Sequence, residues 1–304
     1  MRAAVIDLGT NTFHLIIADI SATDVQIIYK TNVPVRLGQG RINENIIIPE
    51  AFNRGIETLK TFKQEIEKQQ VQQTFAIATS AVRSAANGGD FVDTAKQEAG
   101  ISIEVVDGNK EAEYIYKGVK ATGVINGTSL IMDIGGGSTE FIICDHQKLL
   151  WKKSYNIGAA RLMQAYFNSD PISEQDKTAI INHLNHELAD LKQACASFKP
   201  EHLVGSAGAF ETFAGMILNG TDIKNIKSAA IEITAYKDLS EKLINSTHAE
   251  REAMPDLIKL RVDMIVIAAI LTNYIISMTG LKQLSLSTYD LKMGVLYSLS
   301  ELES

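Results

Sequence analysis

The chain has 304 residues, of which 45% are hydrophobic and 21% charged, so it can bury a sizeable core and form about two domains of ordinary size. The formal net charge of −7 argues against general binding to nucleic acid or to acidic membranes. The two cysteines, Cys144 and Cys195, have no metal-ligand or redox spacing, and we expect both to be reduced and buried. No signal-peptide core follows the start of the sequence, and the longest apolar run, Met264–Ile276, is too short to span a bilayer. We therefore expect a cytoplasmic protein.

The first half of the sequence predicts three strands followed by alternating helices and strands. A helix over residues 50–69 has an apolar stripe at helical spacing, and Gly100 is a natural end for another helix. The predicted elements are the strands Ala3–Asp7, Phe13–Ile20 and Val25–Thr31, the helix 50–69, the strand Thr74–Thr79, the helix Asp90–Ala99, the strand Ile101–Val106 and the helix Lys110–Thr122.

The turn cluster at residues 123–127 is the best candidate for a domain boundary, and a similar order of elements follows it. The predicted elements are the strands Ser129–Ile134, Thr139–Cys144 and Leu149–Tyr155, the helices 158–167 and 174–197, the strand Leu203–Gly205, a helix from Gly208, the helices 236–246 and 256–279, the strand Leu284–Ser287 and the helix Tyr289–Leu302. This order predicts two tandem α/β domains, 1–124 and 125–304, with mixed sheets flanked by helices. The last helix is a candidate to pack back on the first domain.

One pattern of strand, glycine-rich turn and strand occurs twice. Residues 6–17 read IDLGTNTFHLII and residues 132–143 read MDIGGGSTEFII, so that Asp7 and Asp133 are 126 residues apart. Ser80-Ala81 and Ser206-Ala207 match at the same spacing. Two matches at one spacing indicate a duplicated domain. Since ligands of open α/β sheets bind at the carboxyl ends of strands, we expect the active site in a cleft between the two domains.

The two turns have the composition of phosphate-binding loops. Glycine lets a backbone approach an anion closely, and successive N–H and hydroxyl groups surround its oxygens. A simple hairpin turn explains much of the first segment, but it does not need the consecutive glycines of the second. The candidate phosphate-binding residues in these turns are Thr10, Asn11, Thr12, Gly135, Gly136, Gly137 and Ser138.

Carboxylates accompany both turns. Asp7, Asp133 and Glu140 would repel a phosphate chain unless a cation lay between them, and Mg²⁺ binds one or two carboxylates together with phosphate oxygens. We therefore predict that these residues hold Mg²⁺ or another divalent cation. The alternative is that each aspartate caps its own turn.

Further candidates follow strands outside the turns. Arg83 follows a buried strand and suits bidentate phosphate binding, with a surface salt bridge as the alternative. Residues 109–113 open a helix and include the carboxylates Glu111 and Glu113, one of which is able to deprotonate a water, although the dipole of the helix also favours acids in its first turn. Gly208 opens a helix whose N-terminus can bind an anion, or is only a tight strand-to-helix turn. His14 either touches the ligand or packs locally.

These segments resemble the exopolyphosphatase / guanosine pentaphosphate phosphohydrolase family, within the superfamily of actin-like, sugar-kinase and heat-shock-chaperone ATPases. The matching segments are IDLGTNTFHL, ATSAVRSAAN, VVDGNKEAEYIYKGV, MDIGGGSTEF, NIGAARL and GSAGAFETFA. Turns of this kind are shared across the superfamily, whereas ATSAVR and KEAE are more specific to the phosphatase family. The resemblance runs from about residue 4 to about residue 298.

The resemblance implies an actin-like, ribonuclease H-like fold and a role for each matching residue. Glu111 would activate the water, Arg83, Asn11, Gly136, Gly137 and Ser138 would bind phosphate, and Asp7, Asp133 and Glu140 would form the Mg²⁺ region. The implied reaction removes a terminal phosphate from inorganic polyphosphate or the 5′ γ-phosphate from guanosine pentaphosphate. No cysteine or histidine nucleophile is required for it.

The sequence also departs from the family. It resembles a short, two-domain form, without the C-terminal helical domains of larger relatives. Leu291-Lys-Met-Gly294 stands where the family commonly has Leu-Arg-Glu-Gly, and Lys110 precedes Glu111 in place of the frequent acidic residue. A cation at that position would lower the pKa of Glu111 or contact the substrate.

Two other classes of function compete with a hydrolase. An ATP-dependent small-molecule kinase would use the same cleft, but the sequence has no evident adenosine pocket. A non-catalytic sensor would bind polyphosphate or guanosine penta- or tetraphosphate without cleaving it, and would not need Glu111 as a base. The apolar helices of the second half are compatible with a homodimer and do not demand one.

Overall fold

The computed structural model describes residues 1–22 and 24–302, and the chain divides into two compact units. The first unit contains residues 1–118 and the C-terminal helix, and the second contains residues 119–290. The division of the sequence into domains at residue 124 stays a prediction, because compactness in a structure is not a test of independent folding.

The elements of the first half follow the predicted order, except that the short helix at Ser80–Ser84 was not predicted. They are β1 (Arg2–Leu8), β2 (Phe13–Ile20), β3 (Val25–Val33), α1 (Pro49–Lys68), β4 (Gln73–Ala78), α2 (Ser80–Ser84), α3 (Gly88–Ala99), β5 (Ile103–Val105) and α4 (Gly108–Ala121). Gly100 caps α3 in the left-handed conformation, with φ of 64°, as predicted.

The second half contains more helix. Its elements are β6 (Ser129–Ile134), β7 (Thr139–Cys144), β8 (Leu149–Tyr155), α5 (Ala159–Tyr166), α6 (Glu174–Glu187), α7 (Ala189–Phe198), β9 (His202–Ser206), α8 (Ala207–Ile217), β10 (Ser228–Ile231), α9 (Ile233–Asn245), α10 (His248–Glu252), α11 (Ile265–Thr279), β11 (Gln283–Ser287) and α12 (Leu291–Leu302).

The first unit has a mixed five-stranded sheet in the order β3-β2-β1-β4-β5. β1, β4 and β5 are parallel, and β2 and β3 are antiparallel neighbours. Ala4, Ile6 and Leu8 on one face of β1 share a buried core with α1 and α3. Ala3 and Val5 on the opposite face are also fully buried, and α12 contacts β1 and β2. Because both faces of β1 are covered, the sequence of this strand is a nearly continuous run of apolar residues.

The second unit has a mixed six-stranded sheet in the order β10-β11-β9-β6-β7-β8. Its parallel strands are β6, β9 and β11. The apolar helix α11 is buried in the core of this unit, as expected from the run at Met264–Ile276. No helix among the described residues is long and apolar enough to cross a membrane.

Both cysteines are free and buried, as predicted. Burial raises the pKa of the Cys144 thiol to about 12 and that of Cys195 to about 11. Neither thiol therefore forms a thiolate nucleophile at neutral pH.

The predicted strands β2, β6, β7 and β8 have the observed bounds, and most helices differ by a few residues. The predicted helix 174–197 is wrong, because Leu188 separates α6 from α7 while Leu184, Leu188 and Leu191 continue the same apolar stripe. The predicted start at residue 256 is also wrong. Asp256 is left-handed, with φ of 64°, and the Arg251 guanidinium donates to the Val262 carbonyl 3.0 Å away, so turns precede α11.

The repeat holds for the hairpins but not for the second sequence match. Asp7 lies opposite Ile77 in the β1–β4 pair, whereas Asp133 lies opposite Ser206 in the β6–β9 pair. Ser206 therefore corresponds by register to Ile77 and not to Ser80, which lies inside α2. The equal spacing of the two Ser-Ala pairs does not reflect equivalent positions.

Candidate active site

The candidate residues of the first unit lie at one edge of its sheet. Leu8 pairs with Ala78, and Ala78 pairs with Val105, so the carboxyl ends of β1, β4 and β5 are adjacent. The first glycine-rich turn follows β1, α2 with Arg83 follows β4, and α4 with Glu111 follows β5. This edge is the expected place for a ligand of an α/β sheet.

Glu111 and Arg83 form a largely buried ion pair. Arg83 Nη1 lies 2.8 Å from Glu111 Oε2, and the two side chains are only 22% and 9% exposed. The same nitrogen donates to the Val106 carbonyl oxygen at 2.9 Å. The pair is therefore not the exposed salt bridge of the alternative hypothesis, and Arg83 fixes the direction of the carboxylate. Lys110 pairs with Glu113 and lies over the Tyr114 ring, 4.8 Å from its centroid.

The carbonyls of the first turn are held from one side. The Thr10 oxygen accepts a hydrogen bond from the Gly38 N–H at 3.1 Å, and the Asn11 oxygen accepts one from the Arg36 N–H at 2.8 Å. In a trans peptide the C=O and the following N–H point in opposite directions. The N–H groups of Asn11 and Thr12 are therefore directed away from the supporting segment.

A lysine stands beside the first aspartate. Lys292 Nζ lies 3.7 Å from Asp7 Oδ2, and both side chains are 16% exposed. Lys292 is the residue that replaces the arginine common in the resembled family. Its ammonium compensates the charge of Asp7 at the end of β1, so the departure from the motif keeps a cation at this place.

The second turn is held by the start of α5. The carbonyls of its three glycines accept bonds as follows: Gly135 from Ala159 N at 2.9 Å, Gly136 from Ala160 N at 2.9 Å, and Gly137 from Arg161 Nε at 3.0 Å. The N–H groups of Gly136, Gly137 and Ser138 consequently point the other way. Within the described chain these N–H groups donate no hydrogen bond to protein. Successive unpaired N–H groups of this kind form an anion-binding nest.

The close contact of α5 with the turn requires a glycine. A Cβ at Gly158 would lie 2.4 Å from the backbone of Gly136. At Gly38, the residue that supports the first turn, a Cβ would meet only side-chain atoms, the nearest being Thr10 Cγ2 at 2.6 Å. Backbone cannot move aside as a side chain can, so the second turn is the more tightly supported.

Asp133 and Glu140 are buried and lie directly opposite each other in the β6–β7 pair. Directly opposite residues present their side chains on one face of a sheet, so the two carboxylates are neighbours. Asp133 accepts a hydrogen bond from Ser206 Oγ at 2.9 Å, and Glu140 accepts one from Ser154 Oγ at 2.7 Å. Two adjacent buried carboxylates fit a divalent cation.

Within the described ranges, no three His, Cys, Asp or Glu side chains come together in a way that would hold a metal ion. A cation at Asp133 and Glu140 would therefore take its remaining ligands from substrate oxygens and water, as Mg²⁺ commonly does.

Arg261 is a candidate that the sequence reasoning missed. A Cβ at Gly208 would lie 1.7 Å from Arg261 Nη2, so the guanidinium lies against the start of α8. Burial lowers the pKa of Arg261, while the charges of Glu211 and Asp133 act in the opposite direction. Its buried Nε has no hydrogen-bond partner among the described residues. Gly208 is therefore next to a cation suited to phosphate, in addition to the helix start that the sequence indicated.

Comparisons with known proteins identify the family of the chain. The family model described as the Ppx/GppA phosphatase family matches residues 16–303. A protein named putative exopolyphosphatase from Haemophilus influenzae is 27% identical over 98% of this chain and 91% of its own length. A guanosine-5'-triphosphate,3'-diphosphate pyrophosphatase from Pseudoalteromonas translucida is 38% identical over 58% of this chain. The chain spans only about a third to a half of the pyrophosphatase relatives' length, with 36% and 51% of two of them.

Solved structures show the same fold. The crystal structure of an exopolyphosphatase from Cytophaga hutchinsonii has a TM-score of 0.96 and 36% identity, and the match covers 100% of this chain and 99% of that one. The Aquifex aeolicus PPX-GPPA enzyme has a TM-score of 0.82 and 26% identity over 98% of this chain. The predicted fold class, with two mixed α/β sheets flanked by helices, is thereby confirmed. The chain is a hydrolase of the phosphatase type. It belongs to the Ppx/GppA phosphatase family.

Proposed function

We propose that the chain hydrolyses a terminal phosphoanhydride bond, and that its substrate is inorganic polyphosphate or guanosine pentaphosphate. In the first case it releases the terminal phosphate, and in the second the 5′ γ-phosphate, which leaves guanosine tetraphosphate. Membership of the phosphatase family supports this, and so do the names of relatives of both kinds.

The observation that carries the mechanism is the buried Glu111 carboxylate held by Arg83 at 2.8 Å. Phosphoanhydride hydrolysis requires charge neutralisation, a positioned water and a base, with little covalent work by the protein. Glu111 is the base: it accepts a proton from the water while the water oxygen attacks the terminal phosphorus. The bond from that phosphorus to the bridging oxygen breaks, and the bridging oxygen leaves with the electron pair.

Arg83 has two tasks in this proposal. Nη1 orients Glu111, and the other guanidinium nitrogens, Nη2 and Nε, make no protein hydrogen bond among the described residues. These donors are therefore available for phosphate oxygens, which a guanidinium binds in a fixed fork. One side chain thus couples the position of the base to the presence of phosphate.

Each unit carries further groups suited to phosphate. In the second unit these are the N–H groups of Gly136, Gly137 and Ser138, and in the first unit they are Thr10, Asn11 and Thr12. Arg261 beside Gly208 adds a positive charge. Asp133 and Glu140 would hold Mg²⁺, which would supply charge neutralisation of the phosphate chain when bound, whereas Asp7 is paired with Lys292.

The test is phosphate release in the presence of Mg²⁺ from tripolyphosphate, long polyphosphate and guanosine pentaphosphate. We expect turnover of at least one of them, and the ranking names the preferred substrate. ATP is assayed with and without a sugar acceptor, since turnover only with the acceptor would indicate a kinase. Binding of all three substrates without phosphate release would contradict the proposal and support a sensor.

A cytoplasmic location and a homodimer stay predictions. Light scattering of the purified chain during size-exclusion chromatography measures the molar mass and decides between monomer and dimer.

A further inference from the structure

Arg36 has an unusual backbone conformation beside the first glycine-rich turn. Its φ is 53°, in the left-handed region, and its N–H donates to the Asn11 carbonyl 2.8 Å away. An L-residue with a long side chain rarely adopts this conformation, because Cβ comes too close to the following carbonyl. Such strain persists where the surrounding structure enforces it, which happens most often at functional sites.

Most other left-handed residues of the described chain have an ordinary explanation, and Asp256 is of a residue type that tolerates this conformation. Asn45, Gln70 and Lys199 lie at the ends of helices, where a left-handed residue is common. Ala207 lies at the start of α8, directly before the candidate phosphate-binding residue Gly208. Arg36 ends no helix, since it lies between β3 and α1 and precedes a turn.

The backbone around Arg36 is fixed from two sides. Arg54 Nε donates to the Val35 carbonyl at 3.0 Å, and Arg54 Nη2 donates to Gln39 Oε1 at 2.8 Å. On the other side, the Gly38 N–H is bonded to Thr10. The neighbours of Arg36, Val35 and Leu37, are buried. Hydrogen bonds on both sides therefore fix the backbone of this segment.

The side chain of Arg36 is exposed, in contrast to those of its neighbours. Its guanidinium forms no hydrogen bond or ion pair with the part of the chain that the structure describes. The backbone of Arg36 is bonded to the first turn, and a guanidinium without a protein partner that is carried by such a residue is suited to an anion bound near that turn.

We propose that Arg36 binds a phosphate of the substrate beyond the one that is cleaved, and so favours substrates with a longer phosphate chain. The inference rests on the proposed function, since it assumes that the first turn holds the substrate's phosphates. Arg36 then contributes to the affinity for substrate and leaves the chemical step unchanged, because its contact is the same before and during bond cleavage.

Arg36→Gly separates the side chain from the backbone, because glycine adopts the left-handed conformation without strain. We expect KM for tripolyphosphate to rise about tenfold with kcat within about twofold of wild type, and the melting temperature to be unchanged or raised. Arg36→Lys keeps the charge and should recover part of the affinity. Gln70→Gly is the matched control, since Gln70 is another exposed left-handed residue, with φ of 55°.

An unchanged KM in Arg36→Gly would overturn the inference. A lowered melting temperature together with a lower kcat and a higher KM would also overturn it, since Arg36 would then have a structural role. An equal rise of KM in Gln70→Gly would overturn it as well. If the wild-type chain releases no phosphate, the proposed function fails, and calorimetric titration with tripolyphosphate decides about Arg36 alone. Weaker binding by Arg36→Gly than by wild type supports the inference in that case, and equal binding refutes it.

Discussion

The two glycine-rich hairpins have the same register and different supports. Asp7 lies opposite His14 in the first hairpin, and Asp133 lies opposite Glu140 in the second, at the same spacing of 126 residues. The first turn is held by an irregular segment with Gly38, and the second by the start of a helix. The two hairpins therefore share the same strand pairing, but different segments contact their turns.

This difference indicates how the same pair of strands can support two different groups of site residues. Both faces of the central strands are buried, and a shift of one residue would turn every side chain to the other face, so the register of each hairpin is preserved. The segments that follow the strands are under no such constraint. The edge of the first unit carries the proposed base Glu111, whereas that of the second carries the N–H groups of its glycine-rich turn and two adjacent carboxylates.

The largest effect is expected for the proposed base in the first unit. Glu111→Gln removes the proton acceptor while it keeps shape and hydrogen-bonding capacity, so we expect phosphate release to fall about a thousandfold with substrate binding kept. Single-turnover phosphate release measures the chemical step. Glu113→Gln is the matched control: it lies in the same helix, is 45% exposed, and should leave the rate unchanged. Full activity of Glu111→Gln would leave the family assignment intact and refute this residue as the base.

The arginines of the two units should differ in which kinetic constant they affect. Lysine is shorter than arginine and lacks its planar guanidinium, so its ammonium does not occupy the place of Arg83 Nη1, and Arg83→Lys should lower kcat about a hundredfold by misplacing the proposed base. Arg261 has no such link to the base, and Arg261→Lys should raise KM about tenfold with a smaller effect on kcat. Steady-state kinetics of both variants decides. Equal loss of kcat in both would show that the two units do not divide the work in this way.

The support of the two turns should differ in stability. Gly158→Ala places a methyl group against the backbone of Gly136, and we expect a loss of about 3 kcal/mol in the free energy of unfolding. Gly38→Ala meets side chains that can rotate away, and the loss should be about 1 kcal/mol. Urea unfolding followed by circular dichroism measures both. The contrast fails if Gly38→Ala is the more damaging substitution.

The smallest expected effect is a dependence of stability on pH, which arises in the second sheet. Burial lowers the pKa of His202 below its ordinary value of 6.5, and its Nε2 shares a hydrogen bond with Ser285 Oγ at 2.9 Å. Below about pH 6.5 this histidine is protonated in the unfolded chain but still neutral in the folded chain. The free energy of unfolding is therefore highest above this pH and decreases as the pH falls. In the first sheet, the position that corresponds to His202 by strand register is Gln73. Glutamine does not titrate, so stability does not depend on pH at that position.

Melting temperatures between about pH 7.5 and pH 5.5 test this statement. We expect a fall in wild type and a smaller fall in His202→Gln, which places in the second sheet the residue that the first already has. His186→Gln, at a side chain 86% exposed, should retain the wild-type slope. An identical slope in His202→Gln and wild type would contradict the assignment.

Much of the hairpins could be predicted from the sequence. Apolar strands on both sides of a glycine-rich turn leave few alternatives, and β6 and β7 have the predicted bounds. Asp133 and Glu140 were predicted as members of the Mg²⁺ region, and the pairing of β6 with β7 places them opposite each other. The role of Ser206 as a donor to Asp133 was not predicted, because it depends on a strand pairing 73 residues apart in sequence.

Contacts made by loops and by the far end of the chain were not predictable in this way. Arg261 reaches Gly208 from a turn that looked like part of a helix, and its sequence surroundings carry no phosphate-binding signal. Lys292 reaches Asp7 from the C-terminal helix. Such contacts follow from how helices pack on a sheet, which no local pattern encodes.

The most direct test of the account is one round of phosphate release from tripolyphosphate in water enriched in the heavy oxygen isotope. Attack of water on the terminal phosphorus places one heavy oxygen in the released orthophosphate and none in the remaining pyrophosphate, and mass spectrometry distinguishes the two. The account predicts this distribution for wild type, and release of labelled orthophosphate about a thousandfold more slowly from Glu111→Gln. Label in the pyrophosphate, or release of unlabelled orthophosphate, would contradict attack of water on the terminal phosphorus, and labelled release from Glu111→Gln at the wild-type rate would contradict Glu111 as the base.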